Sequence, residues 1–423
     1  MKQAASHHHP QHASDGHCPS SAPKPLTGVR VIEMGQLIAG PFAGHMLAYF
    51  GAEVIKIEAP GNGDPLRHWR ALDDDGTSFW WRSMARNKKS VTVNLNAVEG
   101  RELVRELINN ADVLIENFRP GKMESWELGP SSFQQSNPAL VYTRVSGYGQ
   151  DGPYHTKPGF ASACEAMGGF RYVNGFADRP PVRPNLSMGD TLAGMHAVIG
   201  TLLALVQRSK PGGEGQVVDV SILESVYGML ESVVPEYSGA GLIREPSGST
   251  LTGIVPTNTY RCADGRYVVI GGNGDSIFKR LMTTAGRDDM ANNPAYADNP
   301  GRVAHEGDID EALTAWTQTL PSDVILQKLE DSDVPSAPIY SVKDMFEDPH
   351  FAERGLFETV HTGTRELTVP TVHPRLDSTP GSTEWAGPEL GQHTHEVLQS
   401  LNGMTPARLA QLERDGVIGT SAR

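Results

Sequence analysis

A carboxylate follows directly on a glycine in Met188-Gly189-Asp190, at the head of the apolar helical pattern TLAGMHAVIGTLLALV. An aspartate there suits a helix N-cap, because its oxygens accept otherwise orphaned backbone N–H groups. It suits equally a carboxylate nucleophile presented at the end of an element. The residues upstream bear on the choice. The run GGFRYVNGFADRPPVRP carries Arg171, Arg179 and Arg183, and a guanidinium can hold a carboxylate through two parallel hydrogen bonds. Glu165, past Phe160, is a second acid whose part in catalysis the sequence leaves open.

Composition narrows the function classes. The chain has 423 residues and a formal net charge of −14, without the basic footprint of a nucleic-acid binder. An anionic ligand must therefore find local cations, because the overall field repels it. The three cysteines, Cys18, Cys164 and Cys262, have neither disulfide-framework nor zinc-site spacing. No apolar run is expected to span a membrane. The histidine-rich residues 1–24 lack secretory or import patterning and read as a disordered tail, so a cytoplasmic location is expected.

Short strands are expected at residues 29–34, 52–58, 90–95, 112–117 and 140–145, with helical sequence between several of them. That alternation predicts α/β architecture, a doubly wound, Rossmann-like parallel layer. A long helix is expected over 191–208 and a further strand over 215–220. After a Gly/Ser/Pro-rich stretch, a hairpin turns at Asp264-Gly265. Residues 334–340 read as a strand returning to the first layer. The expected organisation is a tail at 1–24, a large domain at 25–227, a smaller inserted α+β domain at 228–330, and a return segment at 331–423. Neither Gly35 to Gly40 nor Gly271-Gly272-Asn273-Gly274 has the glycine spacing of a dinucleotide-binding turn.

Six ordered blocks, VIEMGQLIAGPFAGHMLAYFGAEVIKIE, NKKSVTVNL, DVLIENFRPG, SGYGQDGPY, the Gly189-Asp190 segment and GEGQVVDVSILES, resemble the class III CoA-transferase family over residues 25–423. The resemblance implies a nucleophile at Asp190, an acyl-CoA thioester and a free carboxylic acid as substrates, no permanently bound cofactor or metal, and an interlocked homodimer. It places CoA contacts at Ile38 and Ala39, at Val93, Asn94, Leu95 and Asn96, at Asn117, Phe118 and Arg119, and at Lys157, Pro158, Gly159 and Phe160. Lys88 and Lys89 are expected to add charge near the phosphates, and Gln36 to support an oxyanion or the substrate carboxylate.

Departures from formyl-CoA transferases shift the expected substrate. Ala59 and Ser125 stand where those enzymes carry arginines, and the long glycine-rich loop of their small domain is missing. The run through Arg171 and Arg183 looks more like family members that use succinyl-CoA and a dicarboxylate, with those arginines holding the second carboxylate. The alternatives on the same fold are formyl-CoA:oxalate transfer and α-methylacyl-CoA racemisation. The racemase branch carries His-Asp where this chain has Phe160-Ala161, so a two-base proton transfer lacks a member.

Overall fold

The computed structural model describes residues 23–419. Its central feature follows from alternation along short apolar strands. β1 (Arg30–Glu33), α1 (Ala39–Tyr49), β2 (Glu53–Glu58), β3 (Lys88–Val93), α2 (Val98–Asn109), β4 (Val113–Glu116) and β5 (Val141–Ser146) come in sequence. They are followed by α3 (Ala161–Met167), α4 (Phe170–Val173), α5 (Met188–Arg208), β6 (Val217–Ser221) and α6 (Ile222–Tyr227). Beyond them lie β7 (Thr257–Arg261), β8 (Tyr267–Gly271), β9 (Ser336–Pro338), β10 (Phe357–His361), β11 (Glu366–Pro370) and β12 (Ile418–Gly419).

The seven-stranded sheet runs β12-β3-β2-β1-β4-β5-β6. All its neighbours are parallel except β12, which pairs antiparallel with β3 and brings the end of the chain to the sheet edge. Successive side chains go to opposite faces. Ile32, Ile55, Val91, Leu114 and Tyr142 pack on one side with α2 and the C-terminal Leu398, Leu409 and Leu412. Val31, Val54, Val113, Val141 and Val220 pack on the other with α1 and α5. β3 begins two residues before the expected 90–95. Lys88 and Lys89, left outside the expected strand, both pair with β2, and Lys88 is fully buried.

α5 begins at Met188, so Asp190 lies in its first turn. The buried Ala193, Gly194, Ala197, Thr201 and Ala204 face the protein, and Thr201 shares a 2.7 Å hydrogen bond with Thr143 of β5. A Cβ on Gly194 would lie 2.8 Å from Phe42 Cδ1 and 2.9 Å from the Ala39 carbonyl oxygen, so glycine lets α5 lie close on α1. Met195, Ile199, Leu203 and Val206 are exposed on the far face. The expectation that no apolar run reaches membrane-spanning length needs correcting: this 21-residue helix does, with a mean hydropathy of 1.4 over its most apolar window. One of its faces is packed on the sheet and on α1.

A second core, from Val255 to Val334, surrounds the antiparallel β7–β8 hairpin, which turns at Asp264-Gly265 with Gly265 at φ 80°. Residues 334–340 do not return to the first layer as expected. β9 instead pairs with β8 and completes a three-stranded sheet of the smaller unit. A short apolar stretch carries no signal of which sheet edge it will join. The N-terminal histidine-rich tract and Cys18 lie outside the described residues; Cys164 and Cys262 are buried and free.

Candidate active site

The six parallel strands lie in the order 3-2-1-4-5-6, whose connections diverge between β1 and β4. In such sheets a crevice opens at that switch point, beyond the carboxyl ends of the strands. Gln36 follows β1 and Asn117 follows β4, and the two meet there. The Asn117 side chain accepts from the Gln36 N–H at 2.7 Å, and its amide nitrogen donates to the Gln36 carbonyl at 2.8 Å. An asparagine thus closes the gap as a backbone partner would.

Buried charges fix the loop of residues 35–41 from below. Lys56 Nζ donates to the Gly35 carbonyl at 2.7 Å and to Glu33 at 2.9 Å, and pairs with Asp64 at 2.9 Å. Asp64 in turn accepts from the N–H of Leu37, a left-handed residue at φ 64°. Lys88 Nζ donates to the Pro41 carbonyl at 2.6 Å and pairs with Glu33 at 2.7 Å. Burial alone would push both ammonium groups down. For Lys56 it is overridden by Asp64 and Glu33, which hold the group above its usual range. For Lys88 burial prevails and lowers it to about 8. Lys88 is therefore a support beneath the loop and not a surface cation for phosphates, as expected from sequence; Lys89 pairs with Glu53 and Glu396. Sequence reasoning passed over Glu33, Lys56 and Asp64. Their signal was charge set inside apolar strands, as in VIEMG and EVIKIE, since such residues are buried only when paired.

Ile38 and Ala39 are buried at the N-terminus of α1, so what they offer the crevice is backbone. A helix N-terminus presents unpaired N–H groups and a partial positive charge. Val93 is buried in the core, and Leu95 packs against it. Asn94 donates to the Gly416 carbonyl and accepts from the N–H of Asn96, leaving Asn96 exposed. Phe118 packs edge-to-face on Trp126 at 5.2 Å. Arg119 is exposed and makes no ion pair among the described residues. Asn94 and Asn117 follow strands three spacings apart, so this edge extends for ~14 Å.

Residues 157–160 lie against the end of β5. A Cβ on Gly147 would come within 2.9 Å of Gly159 Cα, and one on Gly159 within 2.9 Å of the Tyr148 ring. Lys157 Nζ stands 3.4 Å from the centre of the Tyr154 ring, Pro158 is exposed, and Phe160 is 69% exposed at the start of α3.

Asp190 is brought beside this edge by α5. Gly194, one turn on, touches Ala39 and Phe42, and residues four apart share a helix face. Gly189 is pressed against Ala161, Glu165 and Ile222, each within 3.3 Å of where its Cβ would be. Glu165, 1% exposed, accepts from the Gly189 N–H at 3.1 Å and from Arg171 Nη2 at 3.1 Å. The Ser162 hydroxyl accepts from Arg171 at 2.8 Å and from Arg183 at 2.9 Å. Arg183 also donates to the Leu186 carbonyl and makes no ion pair among the described residues. Arg179 stays apart, beside Asp178 and Phe176.

The Asp190 carboxylate accepts no hydrogen bond from any described residue, and it is not the N-cap: it is the third residue of α5, which Ser187 precedes at the cap position. Burial first and Glu165 second push its carboxyl up to about 6, against the pull of Arg183. The helix dipole at this turn favours the ionised form, but burial and the like charge outweigh it. Cys164, next to Glu165, is pushed up to about 11 by burial and by the Asp190 and Glu165 charges, and stays a thiol. Among the described residues no cluster of side chains is arranged to hold a metal.

A carboxylate without hydrogen-bond donors, at the edge of a crevice lined by backbone N–H groups and cations, has the makings of acyl transfer to an acidic side chain. Residues 26–394 match the model of CoA-transferase family III, and the chain belongs to that family. It is a CoA-transferase. It is 46% identical to succinyl-CoA–D-citramalate CoA-transferase of Chloroflexus aurantiacus, over 94% of this chain and 98% of that protein. The alpha subunit of succinyl-CoA–L-malate CoA-transferase from the same organism is 40% identical over 93% of this chain and 92% of its own. Human succinyl-CoA:glutarate CoA-transferase is 30% identical, over 93% and 90%. Among solved structures, a CaiB/BaiF family protein from Brucella suis superimposes with a TM-score of 0.80 at 31% identity, covering 90% of this chain and all of that one.

Proposed function

We propose that this enzyme transfers CoA from succinyl-CoA to a dicarboxylic acid, with Asp190 as a covalent nucleophile. The observation that carries the reading is a carboxylate that accepts no hydrogen bond from any described residue, set near Arg183, a cation that makes no ion pair among the described residues. A carboxylate oxygen of Asp190 attacks the thioester carbonyl; the C–S bond breaks, giving a mixed anhydride and CoA thiolate. The thiolate attacks the aspartyl carbonyl, releases succinate and leaves an aspartyl-CoA thioester. The acceptor carboxylate attacks that carbonyl and expels the thiolate, which then attacks the acceptor's acyl carbon and frees Asp190. No redox step is involved, and covalent catalysis divides the exchange into paired, easier displacements.

The succinyl group and a dicarboxylate acceptor each bring a distal carboxylate, so one cation serves both half-reactions. Arg183 is better suited to this than Arg171, whose charge is engaged by Glu165. Gln36 is exposed at the same crevice, with its backbone held by Asn117. The names of the relatives favour the same substrates. The CoA segments contribute backbone N–H groups at Ala39 and Gly40, the Arg119 cation and the residues 157–160. The test is a panel of mono- and dicarboxylic acids assayed with succinyl-CoA, acetyl-CoA and formyl-CoA. A dicarboxylate paired with succinyl-CoA is expected to be fastest, and Arg183→Ala to raise KM for that acid at least tenfold, the loss of one charge-assisted pair. Oxalate with formyl-CoA outrunning every succinyl-CoA pair would contradict the reading.

The exposed apolar face of α5, together with the exposed Tyr227, Met229, Tyr237, Leu242 and Ile243, supports a homodimer. Sedimentation is expected to show no stable monomer at micromolar concentration.

A further inference from the structure

We infer that Glu165 is a positioning residue for Asp190: its buried carboxylate holds the start of the nucleophile's helix and, through its pairing with Arg171, sets the charge that the nucleophile meets. The inference rests on the reading of Asp190 as nucleophile.

The geometry separates the two acids. Glu165 is fully engaged, with one oxygen on the Gly189 N–H and the other on Arg171, and it is shut away from solvent. A carboxylate so saturated is a poor nucleophile and a good fixture. The residue that it grips is the one immediately before Asp190, so the bond fixes where the first turn of α5 begins. Gly189 has no side chain, and the fit depends on that: a Cβ there would come 3.3 Å from Glu165 Cγ. Asp190 has the opposite character, with no donor from any described residue. The charged and titratable groups around it are Glu165 and Cys164 on α3, Arg171 on α4, and Arg183 from the loop leading into α5. The segment facing it from α1, Ile38 to Phe42, is uncharged.

The pair Glu165–Arg171 therefore acts as a dipole whose negative end faces the nucleophile. That end disfavours the Asp190 carboxylate and so raises its basicity. A more basic carboxylate is a stronger attacking group, so Glu165 supports nucleophilic strength as well as position.

The two members of one ion pair must then act in opposite directions, which a merely structural role would not produce. The experiment records the pH dependence of kcat/KM for succinyl-CoA, with one acceptor, in wild type, Glu165→Gln and Arg171→Met. The wild-type rate is expected to rise with pH through about 6, as Asp190 ionises. Glu165→Gln removes the negative neighbour and leaves Arg171 unopposed, so this limb is expected to move down by about one pH unit. Arg171→Met leaves Glu165 unopposed and is expected to move it up by a similar amount. At pH 8, Glu165→Gln is expected to keep KM for succinyl-CoA within about twofold while kcat falls roughly tenfold. Limbs that stay at the wild-type pH, or move together, would overturn the inference and leave Glu165 a structural residue. Should Glu165→Gln not fold, the Arg171→Met limb decides alone: upward supports, unmoved overturns. Hydroxylamine trapping on the wild type keeps the two claims apart. An adduct away from Asp190 removes the underlying reading, whereas an adduct on Asp190 with unmoved limbs removes only the role of Glu165.

Discussion

Two corners of one crevice are built on opposite terms. Beneath the loop of residues 35–41, Glu33, Lys56, Asp64 and Lys88 are buried, and each is paired with opposite charge. Around Asp190 the reactive carboxylate has burial and a like charge but no hydrogen-bond donor from the described residues. The first corner spends its polar groups on holding shape, with Lys56 and Lys88 gripping carbonyls of the loop. The second leaves its acid high in energy. A buried charge stabilises a fold only when matched, so an unmatched one marks chemistry.

The contrast is broken most severely by removing the unmatched acid. Asp190→Ala is expected to reduce CoA transfer by several orders of magnitude while CoA binding, followed by calorimetry, changes little, because a covalent step is lost and not a phosphate contact. Stability should move the other way. Asp190 is raised from 3.8 to about 6 in the folded chain, so the folded state binds that proton more tightly than the unfolded chain does. The Asp190 contribution therefore turns against folding as pH rises from about 4 to about 6. Asp190→Asn is expected to be the more stable protein above pH 6, by ~1–3 kcal/mol in urea titrations, with the advantage gone below pH 4. An Asn variant less stable at pH 8 would mean that the carboxylate is satisfied after all.

Removing a matched charge should do the reverse. Lys56→Met takes the ammonium partner from Asp64, leaves Glu33 with Lys88 alone and frees the Gly35 carbonyl, which is expected to destabilise the protein by about 3–5 kcal/mol. A loss below 1 kcal/mol would show that the loop does not depend on this clamp. The smallest effect belongs to the exposed edge of the crevice. Arg119→Ala is expected to leave Tm unchanged and to raise KM for the CoA donor about tenfold, the loss of one charge-assisted phosphate contact. Unchanged donor saturation would return Arg119 to the solvated surface.

The same contrast explains what could be read from the chain. The strands announced themselves through apolar alternation, and the hairpin through Asp264-Gly265, because both signals are local. Asp190 was legible as a glycine-borne acid ahead of a long apolar helix, sharpened by resemblance. The clamp was not, since pairing Lys56 with Asp64 needs the β2 register and the turn beyond it. Glu165 stayed ambiguous for the same reason: its partners, Gly189 and Arg171, lie on two other elements. β9 went to the smaller sheet because strand pairing is decided by the neighbours available, which a short stretch does not encode.

The central claim is that Asp190 carries the acyl group and then CoA. Wild type incubated with succinyl-CoA and hydroxylamine, digested and analysed by mass spectrometry, tests it directly. The account predicts a hydroxamate on the peptide containing Asp190, formed only when succinyl-CoA is present and suppressed by the acceptor acid. A hydroxamate on Glu165 would contradict it, as would steady transfer with every carboxylate unmodified.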